Sequence, residues 1–323
     1  MTIETREVSD DEADIRLDRW VKRHFPALTQ GAVEKLCRTG QIRVGGKRVA
    51  ASLRLQPGDI VRIPPLPAAP APKPIAKPLD PHAARDVQRM VIYRDDAIIA
   101  LNKPHGLPVQ GGPGITYHID GLLDALRFDA SDRPRLVHRL DRDTSGLLLL
   151  ARSPGVAAKL AALFRGRDVE KTYWAVIVGR PEPASGRIDM PLTRIRGPRG
   201  DWTAPALPDD PEAAAAVTDF ETLDEVGKRF ALVALHPHTG RTHQLRVHMD
   251  ELGTPILGDI KYGMPKSQVE GFSSALHLHA RRLAFPHPQG GHLTLEADLP
   301  PHMRETFAAL GFPAPMPEKP RRT

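Results

Sequence analysis

The sequence predicts an α+β protein in two units: a body with a mixed, mostly antiparallel sheet and flanking helices, preceded by a small α/β module. Three observations carry that expectation. Hydrophobic residues make up 41% and charged residues 26% of the 323-residue chain, a globular balance at a length that suits two domains. Short apolar runs bounded by turn residues outnumber helical stretches and do not alternate regularly with them. Eight prolines within residues 64–81 divide the chain, and such a stretch is an extended, semi-rigid spacer.

The elements follow in order. Residues 1–13 read as an acidic tail. In the module, 14–63, the spans 15–21 and 31–36 have helical spacing, Thr29 suits an N-cap and Gly40 ends the second helix. Strands at 41–44 and around Val49 flank Gly45-Gly46 as a hairpin, and Gly58-Asp59 turns into an alternating strand over 60–63. Residues 64–85 form the linker. In the body, 86–312, strands are expected at 90–93, 97–101, 147–151, 171–178, 217–223 and 230–235. Helices are expected at 121–126, 155–165, 242–252 and 301–310. Residues 205–212 read as an exposed loop and 313–323 as a basic tail.

Charge is uneven. Residues 14–65 carry eleven Lys/Arg against four Asp/Glu, so this segment is +7 in a chain of net +6. Such a bias suits a polyanion, because Lys and Arg neutralise phosphates and release condensed counterions; the alternative is a solvated face kept for solubility. No run of about 18 apolar residues predicts a membrane span, and no amphipathic anchor accompanies the bases. The single Cys37 allows neither an internal disulfide nor a cysteine-based zinc site, and the acidic start resembles no secretory or transit peptide. A cytoplasmic monomer is the default expectation.

Two polar clusters carry candidate chemistry. His138-Arg139-Leu140-Asp141-Arg142-Asp143-Thr144-Ser145-Gly146 runs into four leucines, a loop feeding a buried strand. Charges there are costly unless they pair or serve a function; a turn stitched by local Asp–Arg pairs is the structural alternative. The second cluster, residues 237–249, reads as a helix with Thr242 as N-cap, a stripe of Leu245, Met249 and Leu252, and Gly253 beyond its end. Arg246 adjoins that stripe, where a guanidinium can reach a buried carboxylate; exposed helix charges at Arg241 and Arg246 are the alternative. His243 and His248 are five apart, off the spacing that joins two imidazoles on one helical face, so no metal is expected. Between the clusters, Lys171-Thr172-Tyr173 opens a strand on which Tyr173 is either a ring to stack on a ligand or a core residue with its hydroxyl satisfied at the edge.

Taken together, His138 to Gly146, Lys171-Thr172-Tyr173 and Thr239 to His248 resemble three motifs of the RluA/RluC branch of RNA pseudouridine synthases. Lys103-Pro104-His105-Gly106-Leu107-Pro108-Val109-Gln110-Gly111-Gly112 resembles the opening motif. The resemblance spans about 86–310. The module, with Arg16-Leu17-Asp18, Gly40, Gly46-Lys47 and Gly58-Asp59, is similar to the alpha-L RNA-binding domain, although it has Thr29-Gln30-Gly31 where members usually carry a Ser-Arg pair.

These resemblances imply a cofactor-independent conversion of uridine to pseudouridine in RNA, expected to be large-subunit ribosomal RNA. They imply that Asp141 is the catalytic aspartate, Tyr173 the active-site tyrosine and Arg246 the arginine that salt-bridges the aspartate. Arg139 and Arg142 match positions near the flipped nucleotide, and Arg241 and His243 are further RNA contacts. In the module, Arg16, Arg19, Arg23, Lys35, Arg38, Lys47 and Arg48 are candidate phosphate contacts. A carboxylate of unperturbed pKa about 3.9 stays ionised in an apolar pocket only beside a partner, and Arg246 is the candidate. Two other classes compete: an RNA-binding or assembly factor without activity, and a hydrolase that would need Asp143 as much as Asp141.

Overall fold

The computed structural model describes residues 4–26, 28–65, 80–112, 114–197, 201–314 and 316–322. Contacts divide the chain into Met1–Pro78 and Leu79–Thr323. Most of the expected linker lies outside the described residues.

The first unit contains β1 (Glu4–Glu7), α1 (Leu17–His24), α2 (Gln30–Arg38), β2 (Arg43–Val44), β3 (Lys47–Arg48) and β4 (Ile60–Ile63). Its sheet has the order β1-β4-β2-β3. Leu17, Trp20 and Val21 lie at i, i+3 and i+4, and they bury one face of α1 with Val33, Ile42, Leu55 and Val61. Thr29 caps α2, its Oγ1 accepting from the Ala32 amide at 3.3 Å. Gly45 and Gly46 both have positive φ, as a two-residue hairpin turn requires. The acidic start is not a free tail: β1 pairs antiparallel with β4, Glu4 opposite Ile63. Just beyond it, the buried Glu12 accepts from Trp20 Nε1 at 2.6 Å and meets His24 Nε2 at 2.7 Å.

The second unit begins with α3 (Pro81–Arg89), β5 (Val91–Arg94), β6 (Ile98–Lys103), α4 (Ile119–Leu122), β7 (Arg135–Leu136), β8 (Ser145–Ala151) and α5 (Pro154–Gly166). Then come β9 (Glu170–Val178), β10 (Ser185–Asp189), β11 (Leu192–Ile195), β12 (Trp202–Pro205), β13 (Val217–Val226), β14 (Phe230–Pro237), α6 (Gln244–Glu251), β15 (Leu278–Pro286), β16 (His292–Glu296), α7 (Pro301–Leu310) and β17 (Arg321–Arg322). The main sheet runs β10-β13-β14-β9-β15-β8-β6-β5, with β16, β17 and β7 attached. The fold is α+β as expected, and the sheet is mixed because β8 and β15 run parallel. Two boundaries differ from expectation. Residues 81–85 belong to α3, which Asp80 caps by accepting from the His82 amide at 3.0 Å. The basic end is not wholly a tail, since β17 pairs with β16. No helix among the described residues is long and apolar enough to cross a membrane.

The central join depends on one missing side chain. Gly146 has φ +106°, and a Cβ there would lie 2.3 Å from the Ala280 carbonyl oxygen. Only glycine allows β8 and β15 to approach this closely. Leu147, Leu148, Leu149 and Leu150 then continue as a fully buried strand.

Candidate active site

Ala280 of β15 is registered with Gly146 of β8 on one side and with Tyr173 of β9 on the other. The start of β8 and the tyrosine are therefore two strand spacings apart, about 9–10 Å, on a hydrogen-bonded backbone. A cavity of about 530 Å³ opens there, lined by Asp141, Tyr173 and Arg246 together with Arg139, Arg241 and His243. Arg142 does not line it; exposed, it pairs with Asp143 at 3.0 Å. In that pair, the local stitching of the turn is real.

The Asp141 loop is pinned from below. Lys103 is fully buried, and its Nζ donates to the carbonyls of Pro104, Leu107 and Arg142, each at 2.9 Å. Burial pulls its pKa down to about 7, against the opposing negative charges of Asp143 and Asp141. His105 Nδ1 meets the Asp143 carbonyl at 2.7 Å. His138 Nε2 accepts from the Leu149 amide at 2.9 Å, and its ring stacks on Phe164. Burial, helped by Lys171, lowers the pKa of this imidazole to about 3, so it is a neutral acceptor that folds the loop back on β8.

Tyr173 packs between the two hydrophobic clusters on either side of the join. Burial, reinforced by the negative charge of Asp141, holds its phenol well above the ordinary value, so it is protonated at neutral pH.

Arg246 overturns one expectation. Its guanidinium does not salt-bridge Asp141. Instead, Nε and Nη2 donate to the two carboxylate oxygens of Asp259 at 2.7 and 2.6 Å. Asp259 wins because it is 1% exposed and already receives the Lys261 and Tyr262 amides at 2.9 and 3.0 Å; a buried carboxylate holds the partner that completes its shell. Asp141 acts on Arg246 only through its field, and no side-chain hydrogen bond to Asp141 is present among the described residues. Partial exposure removes the need for a direct partner. Arg246 Nη1 also carries no hydrogen bond among the described residues.

The turn into α6 is built by a residue the sequence reading passed over. Gln244 Oε1 accepts from Thr239 Oγ1 at 2.7 Å and the Arg241 amide at 3.1 Å, while its Nε2 donates to the Val217 carbonyl and Thr218 Oγ1. The N-cap is His243 in a left-handed conformation, not Thr242. Its Nδ1 lies 2.8 Å from the Tyr262 hydroxyl. Burial, then the charges of Arg246 and Lys261, lower its pKa to about 4 against the pull of Asp141, so it is neutral. Arg241 donates to the Ala215 carbonyl. The signal for Asp259 and Tyr262 was a pair of glycines, Gly258 and Gly263, that bracket them, too general to choose a partner for Arg246.

In the first unit, Arg19, Lys35, Arg38 and Lys47 are exposed. Arg16 is not free, because it grips the buried Asp18 with Nη2–Oδ2 at 2.6 Å. Arg48 donates to the Arg38 carbonyl, and Arg23 stands 3.7 Å from Glu12.

Comparison with known proteins matches residues 97–251 to the RNA pseudouridylate synthase family and residues 15–61 to the S4 domain. A ribosomal large subunit pseudouridine synthase C from Rickettsia bellii is 38% identical over 88% of this chain and 94% of its own length. The chain belongs to the RNA pseudouridine synthase family. A synthase of the same name from Vibrio cholerae is 31% identical over 94% of this chain and 96% of its own. Among solved structures, the human RNA pseudouridylate synthase domain containing 4 superposes with a TM-score of 0.60 at 30% identity, covering 74% of this chain and 97% of that one. The chain is thus an RNA pseudouridine synthase with an S4 RNA-binding domain, as its motifs imply.

Proposed function

We propose that this synthase isomerises specific uridines of large-subunit ribosomal RNA in the cytoplasm, with Asp141 as its essential carboxylate. The names of the relatives, shared over nearly their full length, support the substrate. One observation carries the assignment of roles: Asp141, Tyr173 and Arg246 line one cavity.

The reaction breaks the C1′–N1 bond, turns the uracil while it is held, and joins C5 to C1′. Asp141 supplies an anionic oxygen for positive charge at C1′ or for covalent attack. With no side-chain hydrogen-bond partner among the described residues, its carboxylate lone pairs are left to the substrate. Tyr173 covers the base. Because its phenol is held protonated, Tyr173 meets the base as a hydrogen-bond donor, and once C5 is joined to C1′ the C5 proton passes to the freed carboxylate of Asp141 or to solvent. Asp259 fixes Arg246 in the cavity wall, leaving Nη1 for the substrate. Extrusion of the nucleotide costs a few kcal/mol of stacking, which Arg139 and Arg241 offset at the rim.

Asp141→Asn is expected to end tritium release from C5-labelled uridine in RNA while RNA affinity stays near that of the unsubstituted protein. Normal turnover by that variant refutes the assignment.

A further inference from the structure

Beside the candidate active site lies a second depression of about 380 Å³, and the two share Arg167, Lys171, Pro237 and His238 in their walls. Arg282 and Glu170 lie farther along it. Arg282 stands 3.7 Å from Glu170, whereas Arg167 and Lys171 have no ion pair or side-chain hydrogen bond among the described residues. Two cations thus stand at the junction of two cavities with no ion-pair partner among the described residues.

The backbone at Arg167 adds an independent observation. This residue is the C-cap of α5 with φ +68°, a left-handed position that favours glycine and is uncommon for a bulky side chain. Glycine is available next door but is used at 166, where a Cβ would meet the Asp168 carboxylate at 2.4 Å. The strained position goes to arginine, and no group among the described residues pairs with its guanidinium. A side chain kept against backbone preference points to a role outside the fold.

We propose that Arg167 and Lys171 hold a phosphodiester of the RNA strand next to the extruded nucleotide, and that the strand continues through the second depression towards Arg282. The proposal rests on the isomerase reading for its substrate, and it adds the course of the strand. Burial, together with the charge of Arg167, keeps the Lys171 ammonium below its ordinary pKa range. A phosphate between the two cations relieves that repulsion. Thr172 and His236, which meet at 3.4 Å in the same wall, offer hydrogen-bonding contacts to the backbone beyond.

Arg167→Gly separates function from fold, since glycine suits this backbone. With a C5-tritiated transcript of large-subunit ribosomal RNA as probe, the thermal midpoint should be unchanged or raised. RNA affinity should weaken roughly three- to tenfold at 0.1 M salt, and the slope of log affinity against log salt should shrink by about 0.7–0.9, the loss of one phosphate contact. Arg167→Lys should recover most of the affinity. Lys228→Ser, which removes a charge beyond the far end of β14, should leave the slope as it was. Wild-type affinity and slope in Arg167→Gly overturn the proposal, as does an equal loss in Lys228→Ser. Should Arg167→Gly lower the midpoint, Lys171→Gln decides by the same readouts. Absence of turnover by the unsubstituted protein is a separate result: it sinks the isomerase reading, and the binding measurements still judge the strand path.

Discussion

Asp141 and Asp259 are carboxylates of the same body, and the fold treats them in opposite ways. Asp259 is buried and accepts four hydrogen bonds, two from Arg246 and two from backbone amides. Asp141 is half-buried, and its neighbours Lys103, Tyr173, His243 and Arg246 register it through charge alone. An acid held by four donors is a fixture. One whose charge is balanced at a distance remains available to a ligand.

The widest separation between the two should come from kinetics. Asp141→Asn is expected to lower turnover on the order of 10³-fold or more, while shifting unfolding free energy by less than about 0.5 kcal/mol, as a partly exposed group without partners should. Asp259→Asn should do the reverse first: it leaves the Arg246 guanidinium buried without its counter-charge and costs about 3–5 kcal/mol in a denaturant melt. Equal destabilisation by the two variants would break the comparison.

Lys103→Met sharpens it from beneath. Loss of a donor shared by three carbonyls should cost roughly 1–3 kcal/mol and slow turnover, because the Asp141 loop loses its anchor through the Arg142 carbonyl; unfolding and single-turnover measurements on the same sample read both.

The smallest effect belongs to the first unit. Burial opposes ionisation of Glu12, but Trp20 and His24 outweigh it and hold its pKa at about 2, below the ordinary 4.5. With the folded value depressed, its stabilisation is present above about pH 4.5 and is lost as pH falls through about 2. Glu12→Gln should flatten that acid limb and cost roughly 1 kcal/mol at neutral pH, as followed by Trp20 fluorescence.

Much of this was legible in the chain. The α7 span, the β4 strand, the Thr29 cap and the Gly45-Gly46 turn carry local signals strong enough to survive packing. The clustering of Asp141, Tyr173 and Arg246 was also foreseeable, through the resemblance of their motifs. What was hidden has physical causes. β1 and β17 are short, polar edge strands held by backbone bonds, so they show no apolar alternation. Pro81 continued a proline run and masked the helix it begins, although Asp80 before it was a cap. The choice of Arg246 between two acids depends on their relative burial, which no spacing reveals. Arg281, buried in the middle of β15, broke the apolar run by which that strand would have been recognised.

The seam at Gly146 has a wider implication. Because the start of β8 and Tyr173 are registered with the same alanine, the spacing of these two strand positions is a property of the polypeptide ladder. Loops elsewhere on the cavity rim can change without altering that spacing, and the spacing itself rests on the absence of a single methyl group at Gly146.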